Sequence, residues 1–267
     1  MRLFLALTSV TLRGILRDRM LRAILGTVLL LILLVPVFSM FSMRQVQELA
    51  ITITLSAISF FLLVMSLLLG SSSVWRDIER RYTSSILTLP VSRRAYILGK
   101  FSGIAIFIVC CGLFLFLVSV PVIMFAASSY PSDVPVHWLN IALAIGADIL
   151  KYLLVAALAL LFSTISTSFF LPFFATIAVY LAGSASQEVF EYVSGQFGTE
   201  LQPASVAVIK GVYYILPNFS AFNLKVPAIY GLSHSPGGLA LTTLYGVIYV
   251  VILLVLAIKI FSRRQLP

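Results

Sequence analysis

The sequence predicts an all-α membrane protein whose single domain, residues 1–267, crosses the bilayer six times. Three observations support this prediction. Sixty-one per cent of the residues are hydrophobic and 10% are charged, whereas a soluble domain carries about 25% charged residues. The apolar residues form six runs of roughly the 20 residues that a membrane helix needs. Lysines and arginines gather beside alternate ends of these runs, as they do in polytopic membrane proteins.

The chain before the first apolar run, residues 1–20, predicts an amphipathic helix on the inner leaflet. Its apolar side chains approximate one helical stripe, and most of its arginines lie elsewhere. The stripe consists of Leu3, Leu7, Val10 and Ile15. A plain basic flank that only sets the topology is the alternative. No cleavable signal peptide is expected, because the following run is too long for one and lacks a clear cleavage site.

Six predicted spans follow in order. They are Ala23–Phe41, Leu49–Ser73, Phe101–Ala127, Trp138–Phe162, Phe169–Ser186 and Leu239–Ile260. When they are threaded alternately, fourteen lysines and arginines fall on one side and three on the other. By the positive-inside rule we expect both termini to face the cytoplasm. We also expect the protein to lie in the cytoplasmic (inner) membrane. Because the basic residues flank apolar runs, we expect contact with membrane lipid and not with nucleic acid.

The fourth run contains two charged residues, Asp148 and Lys151. Side chains three residues apart share one face of a helix and can form an ion pair. A charge at the bilayer centre costs about 2.5–3.5 kcal/mol on insertion scales, so such residues are candidates for function. Two interpretations stay open: a neutralising pair inside the protein, which we favour, or a pair that lines a transport path.

The longest connection outside the membrane covers residues 187–238. It contains an apolar piece, Ala204–Leu216, between Pro203 and Pro217. This piece is too short to cross the bilayer and predicts a short interfacial or re-entrant outer helix. The stretch Tyr230–Gly238 is rich in Gly, Pro and Ser and predicts a loop.

The segment between the second and third spans, residues 74–100, is the most densely charged part of the chain. Thr83 is a plausible helix start and Pro90 a helix stop, which predicts a cytoplasmic helix of about two turns. Its apolar residues are Ile86, Leu87 and Leu89. An apolar face rimmed by arginines is typical of a docking surface. A loop whose charges only set the topology is the alternative.

Several other patterns carry little function. Gly99 and Gly103 form a GxxxG pair, which we attribute to chance in a chain rich in small residues. Cys110 and Cys111 are adjacent and predict packing residues, not a disulfide. The sequence contains no GxSxG, no HExxH and no GxxxxGK[ST] motif. We therefore expect no catalytic residues, no metal site and no ATPase activity in this chain.

The charged segment resembles the signature of the permease subunits of type 2 ABC exporters. That signature has an acidic residue, a Thr, a hydrophobic pair, a Pro, a basic residue and a Gly-Lys that opens the third span. The matching residues here are Glu79, Thr83, Ile86, Leu87, Pro90, Arg93 or Arg94, Gly99 and Lys100. Tyr82 stands where the family often has Gly. The resemblance also includes the six spans and the long outer region, so it extends over nearly the whole chain.

The resemblance implies that two permease subunits pair, here as a homodimer, and that each docks a separate cytoplasmic ATPase. A coupling helix at about Thr83–Leu89 would insert into a cleft of that ATPase. The implied docking residues are Glu79, Thr83, Ile86, Leu87, Leu89, Pro90 and Arg93. ATP and magnesium would bind the partner ATPase, and no cofactor is expected in this chain. The alternative function is an ion-coupled secondary transporter that uses Asp148 and Lys151.

Overall fold

A computed structural model describes residues 2–42, 45–79, 92–129, 135–195 and 202–263, and these residues are predominantly helical. The helices are α1 (Arg2–Arg17), α2 (Arg19–Ser39), α3 (Val46–Glu79), α4 (Arg93–Ser129), α5 (Trp138–Ile165), α6 (Phe170–Ser194), α7 (Pro203–Ile215), α8 (Lys225–Tyr230) and α9 (Pro236–Arg263), with a 3-10 turn at Ser220–Phe222. Six of them, α2 to α6 and α9, are long and apolar enough to cross a membrane. The predicted all-α fold with six spans is therefore confirmed.

Helices α3 and α4 extend well beyond their apolar runs. They contain 34 and 37 residues, which makes each about 50 Å long against a hydrocarbon core of about 30 Å. The predicted spans ended where the apolar residues end. The helices continue, because backbone hydrogen bonds do not require apolar side chains, and they carry Asp77, Arg93 and Lys100 past the apolar layer.

The centre of the bundle is α5, which packs against α3, α4, α6, α8 and α9. In its most apolar stretch 72% of the residues are buried, compared with 17% for α6. Small residues permit the closest contact, because a Cβ added to Gly70 of α3 would lie 2.5 Å from the Ala159 Cβ of α5. The exposed apolar faces of α2, α6 and α9 are left for lipid or for another chain.

Helix α1 packs along the start of α4, and the two glycines of the GxxxG pair make this possible. A Cβ added to Gly99 would lie 2.8 Å from the Leu7 Cβ, and one added to Gly103 would lie 2.8 Å from the Thr11 Cβ. Real Cβ atoms do not approach so closely, so both positions require glycine. The interpretation of Gly99 and Gly103 as a chance pattern was wrong.

The face of α1 that contacts α4 coincides only in part with the predicted apolar stripe, which contributes Leu7. Thr8 is buried, and its hydroxyl forms a 2.8 Å hydrogen bond with that of Ser102. Ile15 is buried as well. Val10, in contrast, is 67% exposed, and Leu5 is also exposed. The predicted stripe contains only apolar residues and therefore does not include the threonines on the contact face. The exposed side chains of α1 remain available to lipid, and its place on the inner leaflet stays a prediction.

The junction between α1 and α2 lies at Asp18, so the first helix ends before the predicted residue 20. The Asp18 carboxylate accepts a hydrogen bond from the Met20 backbone N–H at 3.0 Å and thereby caps α2. Arg76, near the end of α3, lies 3.4 Å from the same carboxylate. This contact places the α1–α2 junction and the end of α3 at the same end of the bundle.

Helix α6 continues to Ser194, past the predicted end at Ser186. The Gln187 side-chain amide donates to the Glu191 carboxylate at 2.5 Å, one helical turn later. Tyr213 and Asn218, from the chain after α6, both donate to the Gln187 oxygen, at 3.0 and 2.7 Å. Polar side chains therefore extend the helix where the apolar run stops, and the predicted outer region begins inside α6.

Candidate functional site

The predicted docking loop joins α3 to α4, and its middle lies outside the described residues. Five of the predicted docking residues belong to that part: Thr83, Ile86, Leu87, Leu89 and Pro90. The other two border it. Glu79 is the last residue of α3 and is exposed, and Arg93 is the first residue of α4. The structure therefore defines the two ends of the loop, which we call the loop root.

The Asp77 carboxylate joins the two sides of the loop root. It lies 2.6 Å from the Lys100 ammonium and accepts a hydrogen bond from the Tyr96 hydroxyl at 2.7 Å. The side chains of Lys100 and Asp77 are only 15% and 16% exposed. Charge-assisted bonds that are largely shielded from water are stronger than surface ion pairs. The end of α3 is thus held to the first two turns of α4.

Arg93 ties the loop root to α9. Its guanidinium donates to the backbone carbonyls of Phe261 and Ser262 at 3.0 and 3.1 Å. The last carbonyls of a helix have no partner within the helix, and a cation there also interacts favourably with the helix dipole. The Tyr96 ring stacks on Phe261 with a centroid distance of 5.4 Å. This role of Arg93 was not predicted from the sequence.

The end of α3 also contacts the end of α5 and the connection that follows it. The Trp75 backbone N–H donates to the Ser163 hydroxyl oxygen at 3.2 Å, and that hydroxyl donates to the Ser71 carbonyl at 2.8 Å. The Trp75 ring lies 5.8 Å from the Phe169 ring. Helices α3, α4, α5 and α9 therefore meet at the loop root, which braces the predicted docking loop against most of the bundle.

At the opposite end of the bundle, the chain after α7 turns back into the protein. The Phe219 N–H donates to the Gly183 carbonyl at 3.3 Å, and the Ser220 hydroxyl donates to the Ser184 carbonyl at 2.9 Å. Phe219 and Phe222 are almost completely buried. We call residues 218–232 the re-entrant segment.

The depth of the re-entrant segment follows from its neighbours. Phe222 contacts Gly246, and Lys225 contacts Ser56. Gly246 and Ser56 each lie ten residues into their helices, α9 and α3, counted from the ends opposite the loop root, which corresponds to about 15 Å. The residues that insert into the bundle and are buried there therefore follow Pro217 in the sequence. The apolar piece 204–216 was predicted to be an interfacial or re-entrant helix, and its helix α7 leaves many side chains exposed.

Helix α8 of the re-entrant segment is held at the start of α5. The Asn140 amide donates to the carbonyls of Pro227 and Leu232 at 3.1 and 3.0 Å. Gly231 ends α8 with a φ of 67°, and a Cβ at this position would overlap the His137 ring. Glycine is required there both for the left-handed backbone and for the space.

The charged residues of the fourth span lie beside this segment. The Lys151 ammonium and the Asp148 carboxylate are 2.5 Å apart, and both side chains are at least 93% buried. The Lys151 ammonium also lies 4.7 Å from the centre of the Tyr152 ring. The Tyr152 hydroxyl forms a 2.7 Å hydrogen bond with that of Ser59. The pair is enclosed by polar and aromatic groups and does not face lipid.

Lys225 of the re-entrant segment adds a third charge. Its ammonium donates to the Ser56 hydroxyl oxygen at 3.5 Å. Burial lowers the pKa of Lys225, the Asp148 carboxylate opposes this shift and the Lys151 ammonium adds to it. Two ammonium groups and one carboxylate therefore lie within electrostatic reach of one another. From the sequence, Lys225 is only one of the three basic residues of the outer side, because nothing in the sequence places it beside the fourth span.

Comparison with known proteins identifies the family. The family model described as ABC-2 family transporter protein matches residues 12–266. The chain belongs to the ABC-2 transporter family. A search among curated proteins found no match. As an ABC-2 protein the chain is a multi-pass membrane component of an ABC transporter and not its ATPase, and the family implies association with an ABC ATPase.

For this ABC-2 protein, the structure brings together only part of the predicted site. Glu79 and Arg93 lie on the two sides of the loop root, and Asp148 and Lys151 form the expected pair. Asp77, Tyr96 and Lys225 were missed. Opposite charges at the facing ends of two spans could have indicated Asp77 and Lys100. Within the described ranges, no group of three His, Cys, Asp or Glu side chains is arranged to hold a metal ion.

Proposed function

We propose that the chain is the permease of an ATP-driven exporter and that residues 83–89 dock it to a separate cytoplasmic ATPase. Two permease copies would each bind one ATPase, which carries ATP and magnesium. Both termini would face the cytoplasm, in the inner membrane. Family membership and the six spans support this proposal.

The observation that carries the proposal is the bracing of the loop root. A loop that only sets topology needs basic residues but no fixed base. Here Asp77, Lys100 and Arg93 hold the ends of the loop to α3, α4 and α9. A force that acts on the loop would therefore move three spans together instead of being absorbed at a flexible attachment.

The test replaces Leu87 by aspartate and measures co-purification of the ATPase with the tagged permease. A charge on the apolar docking face should abolish co-purification, because the interface would have to bury an unpaired carboxylate. Leu232→Asp is the matched control, since Leu232 is 52% exposed at the other end of the bundle. Equal co-purification of both variants, each with an unchanged melting temperature, would refute docking through residues 83–89.

The proposed homodimer is supported by the exposed surface of α6. Only 17% of its most apolar stretch is buried in the single chain, and its mean hydropathy of 1.3 is the lowest of the six spans. A span with that composition is better suited to protein than to lipid. Native mass spectrometry of the purified complex should give two permease chains and two ATPase chains. A complex with one permease chain would contradict the pairing.

A secondary transporter that uses Asp148 and Lys151 is the second candidate, and their position inside the fourth span favours it. It predicts uptake of protons or sodium into liposomes that contain only this chain and an imposed gradient. The tight, buried pairing of the two side chains argues against a titrating path. Gradient-driven uptake that disappears in Asp148→Asn, measured below the melting temperature of the variant, would establish this function instead of the exporter.

A further inference from the structure

Lys225 carries a positive charge about 15 Å inside the bundle, on a segment that does not span the membrane. Within the part of the chain that the structure describes, its ammonium has one hydrogen-bond partner, the Ser56 hydroxyl oxygen at 3.5 Å. An ammonium group has three donors. This bond is at the long limit for a hydrogen bond. The group therefore has capacity to bind further oxygen atoms.

The charge of Lys225 is not neutralised by its neighbours. Asp148 is the carboxylate that acts on it, and Asp148 is already 2.5 Å from Lys151. The hydroxyls of Ser59 and Tyr152, which are bonded to each other beside the pair, are neutral. The cluster therefore keeps an excess of one positive charge inside the membrane layer.

The surroundings of Lys225 indicate what it faces. Lys225 is partly exposed and Ser56 is exposed in the single chain. A charged group at this depth does not face lipid chains, but a protein interior or a water-filled cavity. Ser56 lies on α3, the helix that runs from this depth to the loop root. The surface formed by Lys225 and Ser56 thus has the character of a transport pathway.

We propose that Lys225 and Ser56 form a water-accessible anion site in the transport pathway, and that the cargo of this permease carries a carboxylate or phosphate group. The proposal rests on the permease function proposed above. An ammonium with free donors attracts anionic oxygens, and the excess positive charge repels cations. The Ser56 hydroxyl supplies a second donor beside the ammonium.

The test measures the electrostatic potential at Ser56 directly. Ser56→Cys is placed in the full chain with Cys110 and Cys111 replaced by serine and alanine, and the protein is reconstituted in nanodiscs with its ATPase. The thiol reacts with an anionic methanethiosulfonate, the sulfonatoethyl reagent, and with a cationic one, the trimethylammonium-ethyl reagent. The ratio of the two rates reports the local potential.

The anionic reagent should react faster, relative to the cationic one, than it does with free cysteine. Lys225→Gln should lower this ratio roughly tenfold or more, because a charge about 4 Å away acts on the two reagents in opposite directions. Lys225→Arg should retain the ratio. Lys210→Gln, which removes a lysine of α7, is the matched control and should change it less than twofold. An unchanged ratio in Lys225→Gln would overturn the proposal, and so would no reaction with either reagent.

Protection of the same thiol identifies the class of anion. Dodecyl phosphate should slow its modification, dodecyltrimethylammonium should not, and Lys225→Gln should abolish the protection. Protection by inorganic phosphate as well indicates a soluble anion, whereas protection by dodecyl phosphate alone indicates a lipid-like one. Protection by neither would refute an anionic cargo. These rates do not depend on the Leu87→Asp result, so failure of ATPase docking and failure of the anion site are distinguished.

Discussion

Replacement of Asp148 by asparagine tests whether the buried ion pair stabilises the bundle. Asparagine keeps the volume of the side chain and removes its charge. Lys151 then stays buried without its carboxylate, with Lys225 as a like charge nearby. Removal of one partner of a buried pair costs about 3–5 kcal/mol.

At about 2–4 °C per kcal/mol for a chain of this size, the expected loss is roughly 10 °C in melting temperature. Thermal unfolding of the purified protein in detergent, followed by intrinsic fluorescence at constant pH, measures it. Glu188→Gln removes an exposed carboxylate and should melt within 2 °C of the wild type. The double variant Asp148→Asn/Lys151→Gln should recover most of the loss, because it restores the excess of one positive charge.

Two results would refute this reasoning. If Asp148→Asn has the same melting temperature as Glu188→Gln, the Asp148–Lys151 pair does not stabilise the bundle. If the double variant melts below Asp148→Asn, the two side chains act independently and their coupling energy is not favourable.

Three further variants test the contacts at the loop root and at α1. Gly103→Val should destabilise the protein by about 1–3 kcal/mol, since its side chain would overlap Thr11; Gly14→Val, with no neighbour within 4 Å, should not lower the melting temperature. Arg93→Gln should accelerate hydrogen exchange in the last turn of α9 and cost about 1.5–3 kcal/mol, whereas Arg94→Gln, at an exposed position, should leave both unchanged. Asp18→Ala should lower the free energy of unfolding by about 1 kcal/mol, because the cap of α2 is lost. Asp18→Asn should lower it by only a few tenths of a kcal/mol, because asparagine can still cap the helix and the exposed pair with Arg76 contributes little. Equal losses in the two variants would contradict the assignment to the cap.

The six spans could be predicted because lipid imposes a simple rule. Each crossing needs about 20 apolar residues, and a lipid-exposed loop within the hydrocarbon layer would leave its backbone polar groups without hydrogen bonds. The helix ends could not be predicted in the same way. α6 extends to Ser194 through the hydrogen bonds of Gln187 with Glu191, Tyr213 and Asn218, two of which come from a distant part of the chain.

The candidate site was less predictable than the spans, because the roles of its residues depend on contacts with residues that are distant in the sequence. In the sequence Gly99 and Gly103 form a common pattern, and their role becomes evident only from the packing of α1 against them. Asp148 and Lys151 could be paired because they are three residues apart on one helix. Lys225 lies more than seventy residues away from both, and only the re-entrant fold of residues 218–232 brings it to their side.

Helix α3 connects the loop root with the proposed anion site in one uninterrupted element. Ser56 and Asp77 both lie on it, about 32 Å apart along the helix axis, and its sequence contains no proline. Lys225 belongs to the re-entrant segment, whose α8 is held at the start of α5 by Asn140. A push on the loop root that slides α3 along its axis would therefore change the Lys225–Ser56 contact, because the two side chains are anchored to different helices. ATP-driven transport requires a contact that differs between two states, and this one lies within the proposed pathway.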